Sequence, residues 1–403
     1  MRKAIIDEDR QQNQREQQKL AHVEGGAGKE IESESPLQDV YATFQNFYYV
    51  EDTRLIDAVL AVKRNLKLKG VPLWLILVGR SGTGKTTLLK TLENEGDTEV
   101  IHKLTARALI SGRGRAKDHV RKYWGKLVII YDLARTLSLH PNEKQEIFAQ
   151  WRDWYDGRLG GTYGTGKDVD YQGNPPQMLI ASTPSIHNEQ IIHNQLGTRE
   201  LLYSVDIKNK DAFRRQAMSL AKRGVTQEAT THCQLAVQHF FNCLPEPEDN
   251  PDIPKEVEEK IFHLTDKLSV LRATAAWDRS RGELLSDAHH EIPSRNSQQL
   301  QQFYLALKSL DPNYPDQRAL DILEHIVASS GDPVTTKVYQ CLHDADMPLT
   351  TNAVTKKLKL GYKTVYSRLF LLWNLEVVDM DVNSTQGGRA KYWNLSSEYY
   401  EKF

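Results

Sequence analysis

The most constraining feature of the sequence is a glycine-rich segment at residues 79–87, which reads Gly-Arg-Ser-Gly-Thr-Gly-Lys-Thr-Thr. An apolar run precedes it at residues 73–78, and a helix-prone run follows it at residues 88–93. A loop of the form G-x-x-x-x-G-K-T between a buried strand and a helix is the pattern of a phosphate-binding P-loop. The segment therefore predicts an α/β fold in which this loop joins a strand to a helix.

The positions of this loop have distinct predicted roles toward ATP and Mg²⁺. Glycines let backbone N–H groups turn toward the β-phosphate, and the helix that follows directs its positive dipole end at the same anion. Lys85 supplies a charge for the β- and γ-phosphates, and the Thr86 hydroxyl is placed to bind Mg²⁺. The predicted nucleotide-binding residues are Gly79, Arg80, Ser81, Gly82, Thr83, Gly84, Lys85, Thr86 and Thr87. A chance glycine turn is the weaker alternative, because every fixed position is filled.

Length and composition limit the classes of protein. With 403 residues, 39% hydrophobic, the chain is long enough for two or three domains with buried cores. The formal net charge is -1, so nucleic-acid binding must come from local basic surfaces. Three scattered cysteines and a charged N-terminus unlike a signal peptide predict a reducing, cytoplasmic location. No apolar run approaches the roughly 18 residues of a membrane span, so membrane association is not expected.

Two apolar runs after the P-loop end in polar residues. Residues 126–135 read as a buried strand that ends in Asp132, the usual Walker B arrangement, in which a carboxylate holds the Mg²⁺ water shell. The plainer alternative is a strand that merely ends in an exposed Asp. Residues 178–184 read as another buried strand, which ends in hydroxyls and a proline. Apolar strands interleaved with helices predict a parallel sheet with P-loop topology.

Several segments between and before these strands have weaker patterns. Residues 142–155 predict a helix with Asn142 as its N-cap, and residues 157–173 predict a hairpin with a glycine-rich tip. Residues 111–117 form a flexible basic loop, which is either a solvated surface loop or a contact for nucleic-acid phosphates. The first 36 residues are polar and predict a mobile arm or a polar helix.

The order of these parts resembles that of the AAA+ ATPases: a P-loop, a Walker B strand, a strand ending in a polar sensor, an arginine before the next strand, and a helical lid. Within that group the chain is most similar to minichromosome-maintenance helicases and origin-recognition ATPases. The helicases have a hairpin before the sensor strand, as predicted at residues 157–173, and a sensor motif similar to Ala-Ser-Thr-Pro at residues 181–184. The resemblance covers about residues 50–310 and implies that Thr183 is sensor 1.

The resemblance also implies two arginines that act on the nucleotide. Residues 197–203 resemble the step that carries the arginine finger, which implies Arg199, and residues 292–295 resemble the sensor 2 entry, which implies Arg295. A guanidinium from a neighbouring subunit would stabilise charge on the γ-phosphate oxygens, so a homo-oligomeric ring or arc is implied. The plainer alternatives are a surface ion pair for Arg199 and a solvent-exposed helix position for Arg295.

One departure from the family pattern concerns the Walker B strand. AAA+ strands usually end in Asp-Glu, and the Glu orients the attacking water, whereas Asp132 stands between Tyr131 and Leu133. If Asp132 takes the metal position, the catalytic Glu is missing; if it takes the Glu position, the metal-binding acid is missing. The sequence does not choose between these alignments. Slow hydrolysis, or a nucleotide switch without sustained turnover, is therefore an alternative to sustained ATPase activity.

The chain after residues 311–315 reads as a winged helix. Helices are predicted at residues 334–345, 350–358 and 362–375, followed by two strands around a Gly-Gly turn at residues 377–395. The third helix would present the polar side of its N-terminal half to DNA base edges. The predicted DNA-binding residues are Lys167 in the hairpin, Lys363, Thr364, Ser367 and Arg368 in the third helix, and Arg389 and Lys391 in the wing. Protein contacts or subunit packing are the alternative use of this module.

The predicted domains are an N-terminal arm (residues 1–36), a nucleotide-binding core (37–206), a helical lid (207–310) and a winged helix (316–403). The leading hypothesis is an ATP-driven DNA motor or loader. The first alternative is a nucleotide-switched DNA-binding regulator with weak hydrolysis, which the departure at Asp132 favours. The second is an assembly or signalling ATPase that uses the winged helix for protein contacts, which the winged-helix pattern disfavours.

Overall fold

A five-stranded parallel sheet lies at the centre of the computed structural model. The residues that the structure describes are 35–93, 96–102, 105, 109–110, 118–163, 167–188, 198–248, 251–275, 277–278, 283–284, 291–385, 388–397 and 399. The strands up to residue 204 are β1 (Trp74–Val78), β2 (Thr98–Val100), β3 (Leu127–Ile130), β4 (Arg158–Tyr163), β5 (Lys167–Gln172), β6 (Gln177–Ser182) and β7 (Leu201–Ser204). The order in the sheet is β2-β3-β6-β1-β7, which confirms the predicted α/β class with a parallel sheet.

Helices surround this sheet. In chain order, the helices of the described residues are α1 (Pro36–Phe47), α2 (Arg54–Arg64), α3 (Lys85–Lys90), α4 (Val120–Tyr123), α5 (Ala134–Leu137), α6 (Pro141–Tyr155), α7 (Lys210–Arg223), α8 (Thr226–Cys243), α9 (Lys255–Arg272), α10 (Ser294–Lys308), α11 (Asp316–Ser330), α12 (Pro333–His343), α13 (Thr351–Leu358) and α14 (Tyr362–Asn374). Short 3-10 helices span Asn65–Lys67 and Pro184–Asn188. Within the described ranges, every helix is too short or too polar to cross a membrane.

The central strands are buried on both faces. All residues of β1, β3 and β6 are buried, as parallel strands between two layers of helices require. On one face Leu75 and Leu77 belong to a core with Leu89 of α3, and on the other Ile76 belongs to a core with Trp151 of α6. The continuous apolar runs in the sequence therefore reflect burial on two sides.

A hairpin and the helix before it differ in part from their predictions. The β4–β5 hairpin confirms the prediction for residues 157–173, and its tip at residues 164–166 lies outside the described residues. Helix α6 begins at Pro141, and its N-cap is His140, whose Nδ1 accepts the Asn142 N–H at 3.4 Å. The prediction of Asn142 as the N-cap was therefore wrong, because proline is favoured at the first helical position and moves the cap back.

The predictions for the end of β3, the basic loop and the N-terminal arm remain to be compared with the structure. Strand β3 ends at Ile130, so the predicted continuation of this strand to Asp132 was wrong. The basic loop at residues 111–117 and residues 1–34 of the arm lie outside the described residues.

Helix α11 packs along the edge strand of the sheet. The Ser330 Oγ accepts the N–H of Leu202 at 2.8 Å, and the Ser329 Oγ accepts the N–H of Ser204 at 3.0 Å. Two serine hydroxyls therefore take up N–H groups on the open side of β7, which would otherwise have no partner in the sheet.

A buried carboxylate joins α11 to the helices before the P-loop. Asp57 of α2 is fully buried and accepts hydrogen bonds from the hydroxyls of Tyr41 and Tyr314, the latter at 2.5 Å. Arg318 of α11 donates to the same carboxylate at 2.7 Å through Nε, and its Nη2 donates to the Thr53 hydroxyl at 2.6 Å. A buried charge is tolerated only with such partners, so this cluster fixes α1, α2 and α11 together.

The C-terminal elements form a separate small sheet with three helices. The remaining strands are β8 (Trp277–Asp278), β9 (Glu283–Leu284), β10 (Leu349–Thr350), β11 (Val378–Thr385) and β12 (Gly388–Leu395). Strands β10, β12 and β11 form an antiparallel sheet in that order, and Trp393 is buried with its Nε1 donating to Thr351 at 2.9 Å. Helices α12, α13 and α14 lie close to their predicted ranges; the winged-helix assignment itself stays a prediction.

Candidate nucleotide-binding site

The glycines of the P-loop are required by its backbone. Gly82 and Gly84 have φ angles of 83° and 81°, in the left-handed region where a Cβ is strained. Gly79 is constrained differently, because a Cβ there would lie 2.7 Å from the carbonyl oxygen of Val205. The local conformation therefore explains three of the glycines in the motif.

Lys85 is the first residue of α3, and its side chain lies across the loop. Its Nζ donates to the carbonyl oxygens of Gly79 at 2.7 Å and Arg80 at 2.9 Å, and to the Thr83 hydroxyl at 3.1 Å. Burial lowers the pKa of Lys85, and the nearby Asp132 carboxylate acts in the opposite direction. The Lys85 ammonium group therefore lies against the loop that follows β1.

A cavity of about 1260 Å³ opens above the P-loop. The predicted residues that line it are Ser81, Gly82, Thr83, Gly84, Lys85, Thr86, Thr87, Asp132 and Thr183. Gly79 and Arg80 do not line the cavity, but their carbonyls accept from Lys85. Most of the predicted nucleotide-binding set therefore lies around one space.

The order of the strands brings together the three segments that follow β1, β3 and β6. Strand β6 lies between β1 and β3, so the residues after these strands are neighbours at the same edge. Thr183 follows β6 directly, and its hydroxyl is 2.7 Å from that of Ser185. Asp132 follows β3 by two positions and is exposed; its Oδ1 accepts the N–H of Ala134 at 2.9 Å at the start of α5.

Tyr131 follows β3 directly and packs against one of the two cores beside the sheet. Leu127 and Ile129 belong to the same core as the P-loop helix, and Tyr131 packs against that core, whereas Val128 belongs to the core on the other face. Tyr131 therefore lies on the face of the P-loop helix. Its hydroxyl is buried, and within the described ranges it has no hydrogen-bond partner.

Part of the cavity is lined by residues for which the sequence predicted no binding role. These residues lie in the segment 48–52 and in helix α7. Glu51 accepts the N–H groups of Lys208 at 3.0 Å and Asn209 at 2.7 Å, and these hydrogen bonds hold its pKa below the usual value. Gln216 of α7 donates to the carbonyl of Phe47 at 2.9 Å. These contacts join residues that are 157 to 169 positions apart in the chain. A local sequence pattern therefore cannot predict them.

A half-buried histidine lines the cavity beside β7. The His325 ring lies 4.2 Å from that of Tyr203, and its Nε2 is 2.9 Å from the Ser204 carbonyl. Burial lowers the pKa of His325. The neutral ring with its proton on Nε2 suits this contact, because that N–H then donates to the carbonyl.

Arg199 lies at the other edge of the sheet. It stands two residues before β7, whereas the P-loop begins level with Val205, beyond the far end of that strand. Six residues of strand span about 20 Å, so Arg199 does not reach the cavity of its own chain. Its side chain is 12% exposed, and it forms an ion pair with Asp156 at 2.9 Å.

Arg295 lies beside Arg199. It forms an ion pair with Glu291 at 2.7 Å and does not line the cavity. Gln299, one turn further along α10, donates to the Arg199 carbonyl at 2.5 Å and to the Tyr155 hydroxyl at 3.0 Å. The two predicted arginines are thus brought together, but away from the P-loop.

The predicted DNA-binding residues of α14 differ in their exposure. Lys363 and Thr364 are exposed, and the Ser367 hydroxyl donates to the Thr364 carbonyl at 2.9 Å. Arg368 is half-buried, and its Nε lies 3.1 Å from the Asp332 carboxylate. The N-cap residue of α12 therefore holds Arg368, whose contact with DNA stays a prediction.

Three other predicted DNA contacts lie in strands. Lys391 of β12 is half-buried and donates to the Tyr366 hydroxyl at 2.7 Å. Lys167 and Arg389 have backbones in β5 and β12, and their side chains lie outside the described part of the structure.

No model of a protein family matches the chain, and a search of curated proteins found no match. Among solved structures, the chain is similar to "SCCmec type IV Cch - active helicase", with 11% identity and a TM-score of 0.37 over 91% of this chain and 71% of that one. It is also similar to "The A form apo structure of NrS-1 C terminal region-CTR", with 12% identity and a TM-score of 0.29 over 89% and 76%. Similarity at these levels identifies neither a family nor a function.

Proposed function

We propose that the chain is an AAA+ type ATPase that engages DNA, as a motor or loader. The observation that carries the proposal is the cavity in which the P-loop, Asp132 and Thr183 meet. This arrangement places an ammonium group, backbone N–H groups and hydroxyls around one space. These are the groups that bind the phosphates of a nucleoside triphosphate. The triphosphate would lie along the P-loop, and the base between α7 and the segment 48–52.

The residues present fit a P-loop Mg²⁺ site. Mg²⁺ at such sites takes one or two protein oxygens, because phosphates and waters fill its other positions. The exposed Thr86 hydroxyl lines the cavity and would hold the ion, with phosphate oxygens and waters at its other positions. When bound, the ion neutralises charge on the phosphate oxygens.

The end of β3 bears on the rate of hydrolysis. Because Tyr131 lies on the face of the P-loop helix, we infer that Asp132 stands one position later, where it orients the attacking water. Asp is one methylene shorter than the Glu usual at that position, and the residue on the P-loop face is uncharged. The shorter Asp132 side chain and the uncharged Tyr131 both support slow hydrolysis. They favour the alternative in which ATP acts mainly as a switch for DNA binding.

Arg199 and Arg295 would act on the nucleotide of a neighbouring copy. The distance of about 20 Å along the sheet excludes a role of Arg199 in its own chain. A second copy placed with its cavity against this edge would bring both guanidinium groups toward the γ-phosphate. Arg199 would then leave Asp156, an exposed partner that water can replace. We therefore propose a homo-oligomeric ring or arc.

The C-terminal unit would be the DNA-binding part. Its three helices and three-stranded sheet support the winged-helix assignment. We place its start at Gly331, because α11 before it is bound to β7 and to Asp57. A start at residue 316, as the sequence predicts, would separate α11 from its contacts with β7 and Asp57.

The test is the ATPase rate and the oligomeric mass of the full chain, each with and without duplex and single-stranded DNA. A DNA motor or loader would hydrolyse ATP faster when DNA is present and would assemble with ATP. A switch would assemble with ATP and bind DNA, with turnover that DNA leaves unchanged. ATP binding without any effect on DNA binding would overturn both and favour an assembly or signalling ATPase.

A further inference from the structure

A row of aromatic side chains runs along one flank of α14. Tyr362, Tyr366, Phe370 and Trp373 follow one another at spacings of four and three, which puts them on one side of a helix. The rings of Tyr362 and Tyr366 are nearly parallel, with centroids 6.1 Å apart and planes at 6°. The next two pairs have centroid distances of 5.9 Å and 5.1 Å. The four rings therefore form one continuous ladder.

The two ends of this row are open to solvent. Tyr362 is 50% exposed and Trp373 is 37% exposed, which places both among the few exposed large apolar side chains of the described residues. The core of the unit uses another side of the helix, where Val365, Leu369 and Leu372 are fully buried. The two exposed rings are therefore not needed to fill the core and are available to a partner.

Positive charge accompanies the row. Lys391 of β12 lies over the Tyr366 ring, 5.0 Å from its centroid, and 5.8 Å from that of Phe370. Lys363 is exposed beside Tyr362 on the helix. The row thus combines ring faces with ammonium groups.

The acidic residues of the hairpin lie on its other face. Asp379 and Asp381 pair with Asn394 and Tyr392, whereas Lys391 pairs with Val382. Since paired residues share a face and neighbours alternate, the two carboxylates lie opposite the face that carries Lys391. These two carboxylates therefore do not offset the charge of Lys391 on the side of the aromatic row, which suits a polyanion.

The chemistry of this surface favours unpaired bases over duplex DNA. In a duplex the base faces are closed by stacking, and only polar edges are open to side chains. Arg368, the residue best suited to read such an edge, is tied to Asp332. Flat exposed rings with lysines beside them are the features on which single strands stack.

We propose that the Tyr362–Trp373 row is a stacking platform for single-stranded nucleic acid, with Lys363 meeting its phosphates and Lys391 holding the rings in place. This platform deepens the proposed DNA role and rests on it. It puts the exposed Tyr362 ring at the end where a base would stack first.

The test uses the full chain and a labelled oligothymidylate, with binding measured by fluorescence anisotropy over a salt series. Tyr362→Ala should weaken single-strand binding roughly five- to 100-fold, as loss of one stacked base does. The slope against salt should not change, because no charge is removed. Lys363→Ala should instead flatten that slope by about one unit.

Two further variants make the result specific. Tyr362→Phe keeps the ring and should bind like the wild type. Phe262→Ala removes a ring of similar exposure, 55%, on α9, and should have no effect. Circular dichroism of each variant checks that the fold is retained.

Single-strand affinity that Tyr362→Ala leaves unchanged would overturn the platform. Duplex binding weakened as strongly as single-strand binding would overturn it too, because the row would then contact the duplex. If the wild type binds neither form, the platform and the DNA part of the proposed function fail together. If it binds duplex alone, with or without Tyr362, only the platform fails.

Discussion

The two edges of the central sheet carry different chemistry. At the carboxyl ends of the strands, the P-loop, Asp132 and Thr183 surround one cavity. At the amino ends, Arg199 is held by Asp156, and Arg295 lies beside it. If both arginines act on the nucleotide, as proposed, the phosphate-binding loop and the arginines form two half-sites that cannot meet within one copy. The difference supports catalysis between copies, and each prediction below tests one edge against the other.

The largest expected effect is at the amino edge. Arg199→Ala should lower ATP turnover on the order of 1000-fold, because an arginine that stabilises the γ-phosphate contributes at least that much. ATP affinity should stay as in the wild type. Steady-state hydrolysis and a nucleotide titration measure the two effects.

Mixed assemblies give the control for Arg199. Adding Lys85→Ala subunits, which have an intact arginine edge, should restore part of the turnover. If the two variants co-assemble and no activity returns, Arg199 does not act across an interface.

The next effect is at the carboxyl edge. Asp132→Asn should lower turnover on the order of 100-fold, since the amide no longer acts as a base toward the attacking water. ATP should still bind, which separates this change from loss of the P-loop. Asp156→Asn is the matched control at the amino edge and should leave ATP affinity unchanged. Full turnover in Asp132→Asn would show that another group orients the water.

A smaller effect is expected from the P-loop lysine on affinity. Lys85→Ala should weaken ATP binding roughly 10- to 100-fold, as loss of a charged hydrogen-bond donor does. A fluorescent nucleotide titration measures it, with Lys90→Ala on the exposed side of α3 as the control. Equal affinity of folded Lys85→Ala and wild type would remove the basis for a P-loop.

The smallest effect concerns pH and the cavity wall. The pKa of His325 is lowered in the folded chain, so its contribution to stability is fully present above its ordinary pKa of about 6.5. That contribution is lost as the pH falls through the lower, folded value, because only the unfolded chain takes up the proton at first. His325→Gln should therefore flatten the acid side of the melting-temperature profile. His343→Gln in the C-terminal unit is the control, and an unchanged profile in His325→Gln would contradict this account.

The two edges also differ in how far the sequence predicts them. The P-loop was predictable because its glycines serve the backbone of the loop itself, as the φ angles of Gly82 and Gly84 show. Strand β6 and the position of Thr183 at its end were predicted from an apolar run that ends in hydroxyl-bearing residues. In both cases the signal lies within a few consecutive residues.

The remaining features depend on partners far away in the chain. Asp156, which holds Arg199, is 43 residues from it, and Asp332, which holds Arg368, is 36 residues from its partner. The Glu51 contact with α7 spans 158 positions. A single sequence contains no pattern for such pairs, so the exposure of an arginine or the closing wall of a cavity becomes visible only in the fold.

The Asp57 cluster has a consequence for how the chain is made. Two of its donors, Tyr314 and Arg318, come 257 and 261 residues later than Asp57. During synthesis, the P-loop sheet leaves the ribosome long before these partners, and a buried carboxylate without them is costly. The nucleotide core therefore completes its packing only after most of the chain has been translated. A fragment that ends at residue 310 would contain every strand of the central sheet and still lack the groups that neutralise its interior.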